Sequence, residues 1–335
     1  MKGIRITAAI FIMLMLLVPM ISIPINANMQ QKTVNYSYKK ESSTEIAQTF
    51  RLLVTSTGKV ENISAFDYIC GVVAAEMPAS FHLEALKAQA VASFTYACYK
   101  RESNLENPAA NSVIKGADLT DDSSKFEAYI SKTEAQSRWG SNFSQKWGEI
   151  EKAVSGVRNK VMVYNGRPIA AVFFSLSSGK TESSKDVWGS DLPYLSEVDS
   201  HWDQQVEGFE TRVTLSEKEF QSKIKAAYSH TVFPKDPSRW IGTVKRSGAG
   251  GVISAVICGN SVKGGTIRQI FGLRSPNFSV SYKNSVFTFV VKGNGHGVGM
   301  SQHGADYLAS RGENYQQILT YYYKGIQLTD YQWNR

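Results

Sequence analysis

Three cysteines, Cys70, Cys98 and Cys258, are an odd and sparse set that makes no disulfide framework. Cys70 and Cys98 fall on apolar positions of predicted helices and read as small buried hydrophobes. The chain also lacks an internal repeat. No Gly-x-Gly-x-x-Gly spacing follows a predicted strand, and no Gly-Lys-Ser/Thr ends a glycine loop. This removes the dinucleotide and P-loop classes. No Ser lies in Gly-x-Ser-x-Gly, and nothing supplies an obvious triad, which argues against Ser175 or Ser177 as a hydrolase nucleophile.

Long hydrophobic runs are scarce as well, with one instance at the N-terminus. Lys2 and Arg5 precede an apolar run from Ile6 to Ile25, and no charge returns until Lys32. A run of about 20 apolar residues crosses a bilayer, and the positive flank predicts a cytoplasmic N-terminus with an exported body. Residues 1–27 therefore read as an uncleaved membrane anchor. A signal peptide cleaved after Ala27 is the alternative, although Ile25-Asn26-Ala27 is a poor small-x-small site. Both readings export the body and count against nucleic acid as a partner. The formal charge of +8 suits nucleic acid, anionic lipid or an anionic wall polymer, and composition alone does not choose. At 42% hydrophobic and 20% charged, the 335 residues can bury an ordinary core in one large domain or two small ones.

Residues 28–48 are polar, without hydrophobic period, and read as a tether. Arg51 to Thr55 is the first expected strand. A helix is predicted from Ser64 to Glu76, opened by the capping pattern Ser64-Ala65-Phe66-Asp67 and closed because Pro78 disfavours helical geometry at Met77. A second runs from Ser80 to Lys100, with Leu83, Leu86, Ala90, Val91, Phe94 and Ala97 on its buried face. Asn104 to Asn142 reads as a loop-rich insertion with short helices, and a β-rich region is expected beyond Glu149. Val161–Tyr164 and Ile169–Phe174 flank Asn165-Gly166, a type I′ hairpin signal. Further strands are expected at Trp240–Lys245, Val252–Cys258 and Phe278–Val291, the last split by a turn at Lys283-Asn284. Short helices are expected at Thr266–Phe271, Ala305–Arg311 and Tyr315–Lys324.

Glu76 is the carboxylate of interest. It ends the apolar stretch Val72-Val73-Ala74-Ala75-Glu76-Met77-Pro78. Desolvation and the negative end of the helix dipole both disfavour its anion. A carboxyl kept protonated near neutrality can serve as general acid; the bland alternative is a surface Glu in a last helical turn. From Gly293 to Gly304 four glycines in seven residues expose backbone, and His296, Ser301 and Gln302 could reach sugar hydroxyls or amides. His296 and His303 lack a third local metal ligand. Ser175-Leu176-Ser177-Ser178-Gly179-Lys180-Thr181 is either a strand-end turn or a set of hydroxyls beside a cleft.

The stretch Tyr68-Ile69-Cys70-Gly71-Val72-Val73-Ala74-Ala75-Glu76-Met77-Pro78, then Glu84-Ala85-Leu86-Lys87-Ala88-Gln89-Ala90-Val91-Ala92, resembles the stage II sporulation protein D family. So do Gly293 to Ala305, Ile318-Leu319 and Tyr322-Tyr323-Lys324-Gly325. The resemblance runs from about Arg51 to the end of the chain. It implies a peptidoglycan lytic transglycosylase of forespore engulfment, cleaving the β-1,4 MurNAc–GlcNAc bond and leaving a 1,6-anhydro end. On that basis the catalytic residue is Glu76. The resemblance places Lys87, Gln89, Ser175, Ser177, Ser178 and Lys180 in the substrate-binding set, and the reading of the glycine-rich loop adds His296, Ser301 and Gln302. Glycan strands would be the substrate, with a cell-wall amidase or endopeptidase and a membrane protein of the engulfment complex as partners. A non-catalytic glycan-binding role in such a complex is the alternative. Two departures stand out: Phe94 takes the place of a frequent Arg, implying a lost polar cleft contact. The Cys and His through which some members bind zinc are missing from Leu119 to Ser124, so neither metal nor cofactor is expected. The chemistry agrees, because a hydrolytic glycosidase usually needs two carboxylates, whereas a transglycosylase can use one and take the muramic 6-hydroxyl as nucleophile. The expected fold is α+β: an exported catalytic domain over residues 49–335, with a helical pair on β-rich elements behind one transmembrane helix.

Overall fold

The computed structural model describes residues 48–333. The expected anchor, and the tether up to residue 47, lie outside the described residues. Among the described residues no helix is long and apolar enough to cross a membrane. The architecture is mixed α+β, with helices around several small sheets.

Strands β1 (Thr49–Val54) and β2 (Lys59–Ser64) form an antiparallel hairpin. β2 was not legible, because it is polar, largely exposed and without alternating apolar residues. Helix α1 (Ala65–Glu76) starts where Ser64 Oγ accepts the Asp67 N–H at 3.0 Å, and ends as Met77 turns extended before Pro78. Helix α2 (Leu83–Glu106) is capped by His82, starting three residues later and running six further than predicted. Then follow α3 (Pro108–Val113) and β3 (Leu119–Thr120), the latter parallel to β1. α4 (Lys132–Trp139) opens with a capping box between Ser131 and Glu134. α5 (Phe143–Ser155) overruns Glu149, where β structure was expected, because Trp147, Ile150, Ala153 and Val154 make a buried stripe at helical spacing.

β4 (Lys160–Tyr164) and β5 (Arg167–Pro168) flank the predicted turn, with φ of 53° at Asn165 and 77° at Gly166. The expected strand Ile169–Phe174 is not continuous. Ala171 and Val172 donate to the carbonyls of Ile169 and Ala170, two tight turns that break the ladder. Only β6 (Phe173–Phe174) is extended, and it pairs in parallel with Met300–Ser301. After α6 (Ser184–Trp188) come β7 (Glu210–Ser216), α7 (Glu217–Ala227), β8 (Ile241–Arg246), β9 (Val252–Ile257), β10 (Asn260–Lys263), α8 (Gly264–Phe271), β11 (Phe278–Lys283) and β12 (Val286–Lys292). They form two antiparallel sheets, ordered β10-β9-β8 and β11-β12-β7. The chain returns through β13 (Met300–Ser301), α9 (Gln302–Ser310) and α10 (Tyr315–Tyr322), and β14 (Gln327–Asp330) pairs with β4.

Two large hydrophobic cores result among the described residues, with a small third cluster of Leu53, Ile114 and Ala117. One large core lies between residues 50 and 323 but skips the segment from 199 to 297; the other is confined to 215–291. α2 runs through the first, packed against α1, α5, α9, α10 and β4. The helical pair α1–α2 thus rests on β4 as expected, and equally on three further helices.

Candidate active site

Glu76 is the last residue of α1 and is half-buried. Residues 127–130 cross α1 beside it. The Ala128 N–H donates to Glu76 Oε1 at 2.7 Å, and the Ile130 N–H donates to the Gly71 carbonyl at 3.3 Å. A Cβ at residue 71 would stand 2.5 Å from the Ile130 oxygen and closer still to the Tyr129 ring. A mid-helix glycine, a liability of about 1 kcal/mol against Ala, is what lets this segment reach the acid. No ion pair joins Glu76 to a cation among the described residues. Desolvation therefore pushes its carboxyl up to about 7, with the Ala128 hydrogen bond pulling the other way.

A second carboxyl sits behind the first. Both oxygens of Glu127 are sealed from solvent and lack a hydrogen-bond partner. Burial holds this group well above the carboxylate range, and the Glu76 charge adds to the effect. The Ser93 hydroxyl opposes it without closing a proper hydrogen bond. Two carboxyls in one desolvated site do not both ionise, so Glu127 keeps its proton while Glu76 titrates.

Two expected sugar contacts converge here from behind. Gln302 Nε2 donates to the Glu76 carbonyl at 3.0 Å and to Gln89 Oε1 at 3.2 Å, and Gln89 Nε2 donates to Ser93 Oγ at 3.1 Å. Gln89 is 0% and Gln302 4% exposed, so they fix the backbone under the acid. Lys87 stands two residues from Gln89, about 200° around the helix. It pairs with Glu84 at 2.7 Å, away from the glutamine line.

The glycine-rich loop is built inward. His296 Nδ1 accepts the Val298 N–H at 3.1 Å, and its ring lies 5.7 Å from Phe174 and 5.4 Å from Trp188. Desolvation, then the nearby Arg268 charge, push its pKa down to about 3, so the imidazole is neutral. Ser177 and Ser301 meet on buried Asp203: its Oδ2 accepts the Ser177 N–H at 2.7 Å and the Ser301 hydroxyl at 2.5 Å. Burial pushes Asp203 up to about 6. The Ser175 carbonyl accepts the His303 N–H at 3.1 Å, Ser178 Oγ accepts Asn277 Nδ2 at 2.9 Å, and Lys180 pairs with Glu197 at 2.6 Å. The structure thus brings Gln89 and Gln302 to Glu76, and engages the remaining expected residues elsewhere.

A family model described as stage II sporulation protein (SpoIID) matches residues 54–164. Stage II sporulation protein D of Bacillus subtilis (strain 168) is 36% identical over 98% of this chain and 96% of its own length. The chain belongs to the stage II sporulation protein D family. The Bacillus amyloliquefaciens protein of the same name is 39% identical, covering 82% of this chain and 77% of its own. A Bacillus subtilis protein named amidase enhancer is 30% identical over 78% of this chain and 40% of its own length.

Within this sporulation protein D family member, the Phe94 substitution reads differently once its surroundings are known. Phe94 lines a cavity with Ala65, Phe66, Ile69 and Ala90, and Glu76 is not among that cavity's lining residues. Phe94 packs against Phe50, Tyr331 and Trp333, with ring centroids 6.2, 5.8 and 6.0 Å away, one position past the line of Gln89 and Ser93. In the segment Leu119 to Ser124, Leu119–Thr120 is paired to β1, and Asp121 Oδ1 accepts the Thr55 N–H at 2.8 Å. No group of three or more His, Cys, Asp or Glu able to hold a metal ion occurs among the described residues. Sequence reasoning missed Glu127 and Asp203. The signal for Glu127 was a lone acid among Phe126, Ala128, Tyr129 and Ile130 in a stretch otherwise read as loop; Asp203 gave none.

Proposed function

We propose that this chain is a peptidoglycan lytic transglycosylase of sporulation, cleaving the MurNAc–GlcNAc bond with residues 49–335 as its catalytic domain. The observation that carries the reading is a single titrating carboxyl, Glu76, poised near neutrality without a cationic partner. Protonated Glu76 gives its proton to the glycosidic oxygen as the bond to muramic C1 breaks. The resulting carboxylate takes the proton of the muramic 6-hydroxyl, whose oxygen closes on C1 to the 1,6-anhydro ring. The starting acid is regenerated and no water is consumed. Hydrolysis would need a second carboxylate to activate water. Glu127 is badly placed for that, because its oxygens are sealed and its proton is held.

The setting is part of the proposal. Residues 1–27 anchor the chain in the cell membrane, the body faces the wall, and it acts in septal remodelling during engulfment. A cell-wall amidase is the partner favoured by the name of the amidase enhancer relative, alongside a membrane protein of the engulfment complex.

The test is mass analysis of purified glycan strands after incubation with the full chain. Anhydro-muramic ends are expected from the wild type and none from Glu76→Gln, a loss of about 10²- to 10⁴-fold for a missing acid–base group, with the fold retained. New reducing ends would mean a hydrolase. Turnover by Glu76→Gln would remove Glu76 from the chemistry. Glycan retention with no cleavage by the wild type would mean a binding component.

A further inference from the structure

The charge of the chain is not spread over it. Residues 206–293 hold 13 of the 37 Lys and Arg but only 5 of the 29 Asp and Glu, a formal +8 equal to that of the whole protein. Residues 48–205 and 294–333 hold 18 basic against 22 acidic residues, a formal −4. The two regions also treat their cations differently. In the body Lys87, Lys125, Lys132, Lys160, Lys180 and Lys185 each face a carboxylate. In 206–293 the one ion pair among the described residues is Arg212–Glu210, at 3.0 Å. Lys218, Lys223, Lys225, Lys235, Arg239 and Lys245 are exposed and none closes an ion pair there, although Glu219 and Asp236 feel Lys223 and Arg239 at longer range. α7 and the segment before β8 form one layer: Lys225 Nζ lies 5.9 Å from the Phe233 ring, and Phe220 packs 5.6 Å from Trp240. The one acid in that segment, Asp236, spends Oδ1 on the Ser238 N–H and hydroxyl.

We propose that this β-rich unit is a docking surface for a polyanionic wall polymer, a chain of phosphodiester-linked units. Lysines free of close ion pairs that displace a polyanion's counterions give affinity without sequence or shape selection. A bilayer surface fits less well, because membrane-seeking basic elements carry exposed apolar anchors, and Val232 is the one exposed large hydrophobic side chain of the unit. A neutral sugar fits less well too, since no aromatic ring of the unit is exposed as a stacking platform. The unit is tied to the body at the serine-rich segment and the glycine-rich loop. Gly251 N–H donates to Glu182 Oε1 at 2.9 Å, Asn277 Nδ2 to Ser178 Oγ at 2.9 Å, and Gly295 N–H to the Arg274 carbonyl at 2.8 Å. A polymer held here raises the local concentration of the adjoining glycan at Glu76. The inference rests on the wall-facing reading but not on cleavage.

The experiment measures retention of the full chain on purified walls that carry poly(glycerol phosphate). The comparison is the same walls after hydrofluoric acid has removed that polymer, across a salt series. Tighter retention on intact walls is expected, weakening with salt by a log–log slope of about −0.7 to −0.9 per neutralised phosphate. The joint variant Lys218→Glu, Lys223→Glu, Lys225→Glu, Lys235→Glu should flatten that slope by about three while still cleaving stripped strands. A body variant with the same charge change, Lys59→Glu, Lys132→Glu, Lys152→Glu, Lys185→Glu, should leave the slope unchanged. Equal retention on stripped walls overturns the proposal, and so does equal flattening by both variants, which would report net charge alone. Tighter binding to anionic phospholipid vesicles than to polymer would make the unit a membrane contact. If the first variant melts early, competition of wild-type retention by soluble inorganic polyphosphate decides; no competition overturns the proposal. Failure of cleavage with polymer retention intact would sink the enzymatic reading and leave this one standing.

Discussion

The body buries a set of polar groups among its rings, whereas the β-rich unit buries rings with few polar groups beside them. In the body Gln89, Ser93, Thr95, Glu182, Asp203, Ser301 and Gln302 are all closed to solvent. In the unit Phe220 stacks on Phe287 at 4.3 Å and packs on Phe271 at 4.8 Å, Trp240 stacks on Phe287 at 5.5 Å, and the one buried charge is Arg268. Buried polar groups cost free energy unless bonded, so a fold gathers them where position matters more than stability. Here they line the back of Glu76 and the glycine-rich loop. The unit carries no such network and owes its order to apolar packing.

If the contrast is real, mutations should hurt the two regions in different currencies. The largest effect is expected from Phe220→Ala, which deletes the ring at the centre of the dry core: about 3–5 kcal/mol of stability, read by urea unfolding. A loss under about 1 kcal/mol would show that the unit is not held by its rings.

Next comes Glu76→Gln, whose effect depends on pH. The folded pKa, about 7, lies above the ordinary glutamate value of 4.5. The native state therefore favours the proton more than the unfolded chain does. That stability is fully present below pH 4.5 and is lost as pH rises through 7. Removing the charge should make the variant more stable than wild type at pH 8, by up to about 3 kcal/mol, and equal to it near pH 4. Melting curves at both pH values check this; a variant no more stable at pH 8 would mean that Glu76 sits unstrained in water. The smallest effect is assigned to His296→Ala. If the ring supplies one hydrogen bond to substrate, about 0.5–1.5 kcal/mol should be lost from turnover or affinity. A lower melting temperature with unchanged kinetics would confine His296 to holding the loop through Val298 and Phe174.

Helices α1 and α10, the Asn165-Gly166 turn and strands β8, β9, β11 and β12 were legible because each is specified locally, by a cap, a period or a positive-φ turn. β2, β7, α7 and β10 were not. β2 and β10 are short and mostly exposed, and gain their register from a neighbour. α7 is signalled only by its Ser216–Glu219 capping box and buries just Phe220 and Ile224, too few for a helical period to stand out. For the site the limit was similar. The raised carboxyl pKa of Glu76 was legible because its desolvation is written into the residues on either side. Gln89, Ser177, Ser301 and Gln302 were visible as polar residues, but whether a hydroxyl or amide faces a sugar or a buried carboxylate depends on chain segments far away in sequence, such as the one carrying Asp203.

The hydrogen bond that steadies Glu76 comes from a main-chain N–H, and every residue except proline supplies one. Position 128 can therefore drift in side chain without releasing the acid. The discrimination has moved five residues back along α1, to Gly71, where anything larger than a hydrogen atom would push the crossing segment off. A search for changes that disarm this protein without touching its carboxyls would find its target in the residue with no side chain at all.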